Sequence, residues 1–248
     1  MNSSLANIRS IAKRELASYF ASPVAYVFLV IFLLLTGFFT FSVGNFFGRG
    51  EASLAPFFIW HPWLYLVLVP AIGMRVWSEE RRSGTIELLL TLPVSPWEAI
   101  LAKFLACWAF LALALALTFP VVITVNVLGA PDNGQIVAGY LGSLLLAGAY
   151  LAITCMTSAM SRNQVVAFIL SVVLCLFLIL AGFNPVTDML TRWASPALVD
   201  TVAAFSVITH YDSFQKGVID LRDLLYFLSV LGFALFATSV VLRNHRAG

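Results

Sequence analysis

Apolar and polar positions alternate along this chain in blocks rather than residue by residue. Crossing a hydrocarbon core takes about 20 consecutive apolar residues in a helix. Six blocks meet that requirement: Val24–Gly44, Phe57–Met74, Ile100–Leu128, Ile136–Met160, Val165–Phe183 and Leu224–Leu242. The blocks predict an all-α polytopic membrane protein of six transmembrane helices. Spans four and five are separated only by 161-SRNQ-164 and must fold back as a tight hairpin, and Pro120 is expected to kink span three. The whole of 1–248 reads as a single transmembrane domain. Residues 1–23 form an N-terminal helix, 24–183 the first five spans, 184–223 an extracytoplasmic segment, and 224–248 the last span and a tail.

Three segments follow other patterns. In 5-LANIRSIAKRELASYF-20, Leu5, Ile8, Ala12, Leu16 and Tyr19 recur at helical spacing with Arg9, Lys13 and Arg14 off that stripe, which predicts an amphipathic interfacial helix. The stretch 197-ALVDTVAAFSVI-208 is apolar but too short to span, and is expected to lie on the outer interface. The third is 79-EERRSGTIELLLTLPVS-95, where four consecutive charges precede a leucine run. Span two is expected to run past the membrane surface to Arg82, with Gly84 as the left-handed residue that ends it. Thr85–Leu92 can make two helical turns before Pro93 stops them. Span three then opens on 95-SPWE-98, with Ser95 as N-cap, Pro96 at N1 and Glu98 closing a capping box. Local physics leaves two readings of the short helix: a docking element, or a solvated loop whose leucines rest on lipid.

Composition sharpens this picture. Hydrophobic residues make up 61% of the chain and charged residues 10%, far from the roughly one quarter charged of soluble domains. About twenty residues precede the first span, which is longer than a signal-peptide core, so that span is expected to stay in the mature protein. With the N-terminus inside, the inner side holds Arg9, Lys13, Arg14, Arg75, Arg81, Arg82, Lys103, Arg162, Arg243 and Arg246, against Arg49, Arg192, Lys216 and Arg222 outside. Ten against four places both termini in the cytoplasm.

Candidate chemistry is sparse. The predicted span interiors hold essentially no ionisable group, Arg75 sitting at an edge, which argues against an ion-coupled transporter. His61, His210 and His245 fall at or beyond span ends, and the chain carries no HExxH, GxSxG or P-loop pattern. Cys107, Cys155 and Cys175 read as small buried hydrophobes. Trp60, Trp63, Trp77 and Trp97 fit interfacial belts, and Gly139, Gly142 and Gly148 allow close helix approach within the subunit or at a dimer seam. The pattern is that of a pathway or scaffold with no catalytic site, no cofactor of its own and no nucleic-acid partner.

The run 79-EERRSGTIELLLTLPVSPWEAILAK-103 resembles the cytoplasmic loop of ABC-2 type permeases, as does the N-terminal helix ending in 13-KRELASYFASP-23. A narrower likeness, 210-HYDSFQKGVIDLRDLLYFLSV-230, is to the segment before the last span in gliding-motility-type members. The resemblance implies a permease subunit of an ABC exporter in a bacterial cytoplasmic membrane. It implies a short coupling helix between spans two and three, seated in a groove of a separate ATPase subunit. Glu79, Arg81, Gly84, Thr85 and Glu87 match the motif, with Leu88 and Leu89 as the apolar grip. Implied partners are two ATPase copies that hold the ATP and Mg, a second permease half (identical or related), a periplasmic or auxiliary membrane subunit, and membrane lipid. Non-transporting mechanotransmission or assembly is the alternative role.

Overall fold

A computed structural model describes residues 2–85, 94–192 and 194–244. Among the described residues the chain is helical with no strand. Helix α1 (Asn2–Ala21) leads through Ser22 into α2 (Pro23–Phe38), which a π-helical turn, Phe39–Val43, extends. Then come α3 (Ala55–Phe58), α4 (His61–Gly73) and α5 (Arg75–Ser83), which together make one span of 29 residues. Helices α6 (Pro96–Ala116) and α7 (Phe119–Leu128) form the third span, interrupted just before Pro120, as expected. Helix α8 (Asn133–Met160) is the fourth, and α9 (Gln164–Leu180) turns back from it. The segment predicted to lie on the outer side holds α10 (Asn184–Leu190), α11 (Pro196–Ala204) and α12 (Val207–Gln215), and α13 (Leu221–Asn244) ends the described chain.

Among the described residues, five helices are long and apolar enough to cross a membrane, and a sixth arises if α9 and α10 count as one broken span. They bend by 68° at that break, so α9 stops sooner than the apolar run suggested. The outer run 197–208 is likewise two elements, because the Ser206 hydroxyl accepts from the Ile208 and Thr209 amides and starts a new helix.

The centre of the bundle is α8, which packs against α4, α5, α6, α9, α12 and α13. Its glycines make that possible. A Cβ on Gly142 would sit 2.5 Å from Phe214 and one on Gly139 2.5 Å from Phe58, while one on Gly148 would meet Trp108 at 3.0 Å. Their close approach is thus within the subunit. Lipid offers no hydrophobic drive between helices, so packing and interhelical hydrogen bonds carry association. Helix α8 supplies them through Ser143 to Tyr211 (2.8 Å), Thr154 to Ser171 (2.6 Å) and the Leu144 carbonyl, which accepts from Trp108 Nε1 (2.9 Å).

The predicted stripe of α1 turns toward α6. Ile8, Ala12, Leu16 and Tyr19 are half-buried, Tyr19 stacks on Phe110 at 5.4 Å, and Arg9, Lys13 and Arg14 stay exposed. Leu5 is 66% exposed and does not belong to the packed face. Trp77 also departs from its predicted interfacial place, being fully buried inside the bundle.

Candidate functional site

The predicted site follows α5, so its geometry depends on how α5 is held. Pro70 lies inside α4, and the joint between α4 and α5 falls at Met74. There a side chain from another helix enters the backbone ladder. Ser158 Oγ of α8 accepts from the Trp77 and Ser78 amides, both at 3.0 Å, and donates to the Met74 carbonyl at 2.7 Å. One donor and two acceptors are all that a hydroxyl has. Insertion of this kind bends or breaks helices, and here it also caps the start of α5. At the other end of α5, Arg81 donates to the Ala159 carbonyl, closing the last turn of α8.

A second tie comes from charge. Lys103, on the third turn of α6, is 6% exposed; Glu80 Oε1 lies 2.8 Å from its ammonium and Glu15 Oε1 3.3 Å. The ammonium also stands 5.4 Å from the Trp77 ring, within cation–π range. An ammonium can be buried because two carboxylates and a ring face replace its water. The sequence counts Lys103 only as an inner-side cation; the packing shows that at this end of the bundle it is buried. Alongside lies a cavity of about 360 Å³, lined by Arg75, Glu79, Glu80, Glu15, Lys103 and Tyr19 among others. Burial, with Cys107 beside it, pushes the Tyr19 phenol well above its ordinary range.

Helix α5 ends where expected. Gly84 has φ +74° and ψ 2°, a left-handed conformation that side chains with a Cβ disfavour. Ser83 Oγ bonds the Glu79 carbonyl at 2.9 Å and meets the Thr85 hydroxyl at 2.9 Å. The next described helix opens on the predicted capping box. Ser95 Oγ accepts from the Glu98 amide at 3.2 Å, and Glu98 Oε2 from the Ser95 amide at 3.0 Å.

Of the predicted site residues, Glu79, Arg81, Gly84 and Thr85 therefore lie on or just past one clamped helix. Glu79, Gly84 and Thr85 are exposed, whereas Arg81 turns inward to α8. Glu87, Leu88 and Leu89 lie outside the described residues, and so does most of the predicted short helix. Sequence reasoning missed Glu15, Glu80, Lys103 and Ser158. Three of them are charges in an oily chain, a signal that was available. Ser158 carried none, since serines occur throughout the spans.

The chain from α4 to the end of α13 matches a known family. The model for "ABC-2 family transporter protein" covers residues 63–242, well over half the sequence. The chain belongs to the ABC-2 transporter family. Two relatives share its pattern: the inner membrane transport permease YhhJ of Escherichia coli (strain K12) and its namesake in Shigella flexneri. Each is 28% identical over 142 residues, which is 56% of this chain and 36% of the relative. The matched part is thus little more than a third of these longer permeases. The family region contains α5, the loop, Lys103 and Ser158, and it begins after α1 and Glu15.

Proposed function

We propose that this ABC-2 chain is the membrane-spanning permease half of an ATP-driven exporter, moved by a separate nucleotide-binding subunit. Family membership is the observation that carries the reading. ATP and Mg would sit in two copies of that partner, and a second permease half, identical or related, would complete the path. The excess of Lys and Arg on the side of Gly84 supports a cytoplasmic location for both termini and for the loop in a bacterial inner membrane.

In this reading the segment 79–89 receives the push. Glu79 and Thr85 are exposed beside the Gly84 turn, with Glu87 expected to meet the ATPase across a polar rim. Leu88 and Leu89 would supply an apolar grip. Helix α5 suits a transmitting role because it is tied to α8 by Ser158 and Arg81, and to α1 and α6 through Lys103. A displacement of α5 cannot remain local. Helix α1 would lie beside the same ATPase at the membrane surface.

The test is co-purification of an ATPase with this chain, followed by Glu87→Lys and Gly84→Pro. Both should lower assembly and permease-stimulated ATP hydrolysis at least tenfold. Unchanged assembly and stimulation in both variants would remove the coupling assignment. The likeness of 210–230 to gliding-motility-type permeases favours a second reading, in which the same motion serves assembly or mechanotransmission. ATP-dependent accumulation of a solute in sealed vesicles would decide for export.

A further inference from the structure

A groove separate from the α5 site runs between α1, α6 and α8, with a cavity of about 560 Å³, within the usual range for a small-ligand pocket. Its walls are apolar: Leu16 and Ala12 on one side, Leu105, Trp108 and Ala109 on the other, with Leu144 at the back. The one polar atom of the Trp108 ring is already used, donating to the Leu144 carbonyl at 2.9 Å. At the rim stand Arg9 and Lys13, four residues apart on one face of α1 and both exposed. Among the described residues, no carboxylate lines the groove. Glu15, the nearest acid on α1, is turned to Lys103 and Arg14 instead. Beyond the groove, Leu113 and Leu117 continue an exposed apolar track at the end of α6.

We propose that this groove holds one anionic phospholipid, its phosphate at Arg9 and Lys13 and an acyl chain in the trough between α1 and α6. Charge complementarity chooses the headgroup: two cations with no facing acid suit a net negative lipid rather than a zwitterionic one. The walls choose a lipid over a soluble anion or an acidic peptide. A free anion would leave the apolar trough empty, and a peptide backbone would find no polar partner in it. The long stems of Arg9 and Lys13 can cover the trough while their charged ends reach the phosphate. A lipid so placed would fill the seam on which α1 rests beside Lys103, whether or not α5 contacts an ATPase.

Lipid retention by the purified full-length chain, read by native mass spectrometry, tests the site. Phosphatidylglycerol and phosphatidylcholine with the same acyl chains should differ, with one phosphatidylglycerol retained per chain. A basic residue near a lipid surface is worth about fivefold in affinity. Arg9→Gln and Lys13→Gln should therefore each weaken retention about fivefold, and together about twenty-five-fold, whereas Arg222→Gln at the other end should not. Ala109→Trp, at an exposed position in the groove wall, should block the trough and lower retention with both cations intact. Equal retention of the two lipids would overturn the proposal, as would indifference to either the charge variants or Ala109→Trp. Displacement of phosphatidylglycerol by inorganic phosphate would show a small-anion site and overturn it as well.

Discussion

The two ends of the bundle handle charged groups in different ways. At the end carrying the outer helices, charges are matched within a short stretch of chain. Lys216 pairs with Asp212 one turn away. Asp220 Oδ1 accepts from the Arg222 amide at 2.9 Å. His210 Nδ1 lies 2.6 Å from Asp223, its Nε2 3.0 Å from the Ala204 carbonyl, and its ring is stacked on Tyr226. At the Gly84 end the partners are far apart in sequence. Lys103 joins Glu15 of α1 to Glu80 of α5, and Ser158 meets Trp77 across 81 residues. Local matching holds the charges of the outer helices, whose long-range ties are neutral, from Tyr211 to Ser143 and from Gln135 to the Gln215 carbonyl. At the Gly84 end the charged side chains Lys103 and Arg81 themselves join four separate helices into one corner. The coupling role proposed for α5 would rest on the second kind of connection.

That contrast can be broken at Lys103. Lys103→Met should cost about 3 kcal/mol of stability, at the lower end for a broken buried pair because both glutamates keep some contact with water. Thermal unfolding in detergent measures it. Replacing Glu15 and Glu80 by Gln in the same chain should recover part of the loss, since the penalty lies in the unpaired charges. Failure to recover would mean that Lys103 matters through packing against Trp77 alone.

Ser158→Ala sharpens the comparison at the backbone. It strips the Trp77 and Ser78 amides and the Met74 carbonyl of one shared partner, a loss of about 1–2 kcal/mol. The span can recover some of this by closing its own ladder, which would straighten it at Met74. Hydrogen exchange at the Trp77 and Ser78 amides should then change while Tyr211 and Phe214 amides in α12 do not. The smallest effect belongs to the outer end: Lys216→Ala removes an exposed one-turn pair and should cost about 0.5 kcal/mol or less. If it cost as much as Lys103→Met, the distinction between the two ends would fail.

Where partners were close in sequence, the sequence was readable. The Gly84 stop, the Ser95–Glu98 capping box and the α8–α9 turn at Asn163 each rest on contacts within a few residues, and all were anticipated. The buried corner was not. Glu80 was visible only as one of four charges in a row, Lys103 only as one more inner-side cation, and Glu15 only as part of an amphipathic helix. Their shared role depends on α1 lying against α6, and no local pattern encodes that pairing. Trp77 was misplaced for the same reason, since an aromatic at a span end fits an interfacial belt until a neighbouring lysine is found above its ring.

The sequence by itself determined that this is an oily helical chain of six apolar runs, where its helices start and stop near Gly84 and Ser95, and which family it resembles. Those features follow from hydrophobic transfer and from the caps of single helices, both of which act over one run or one turn. Only the tertiary structure decided that α8 is the central helix, that Ser158 enters the ladder of the second span, and that Lys103 is buried between two helices' carboxylates. The cost of burying an ammonium or opening a backbone ladder depends on which side chain arrives to replace the lost partner, and that is fixed by packing.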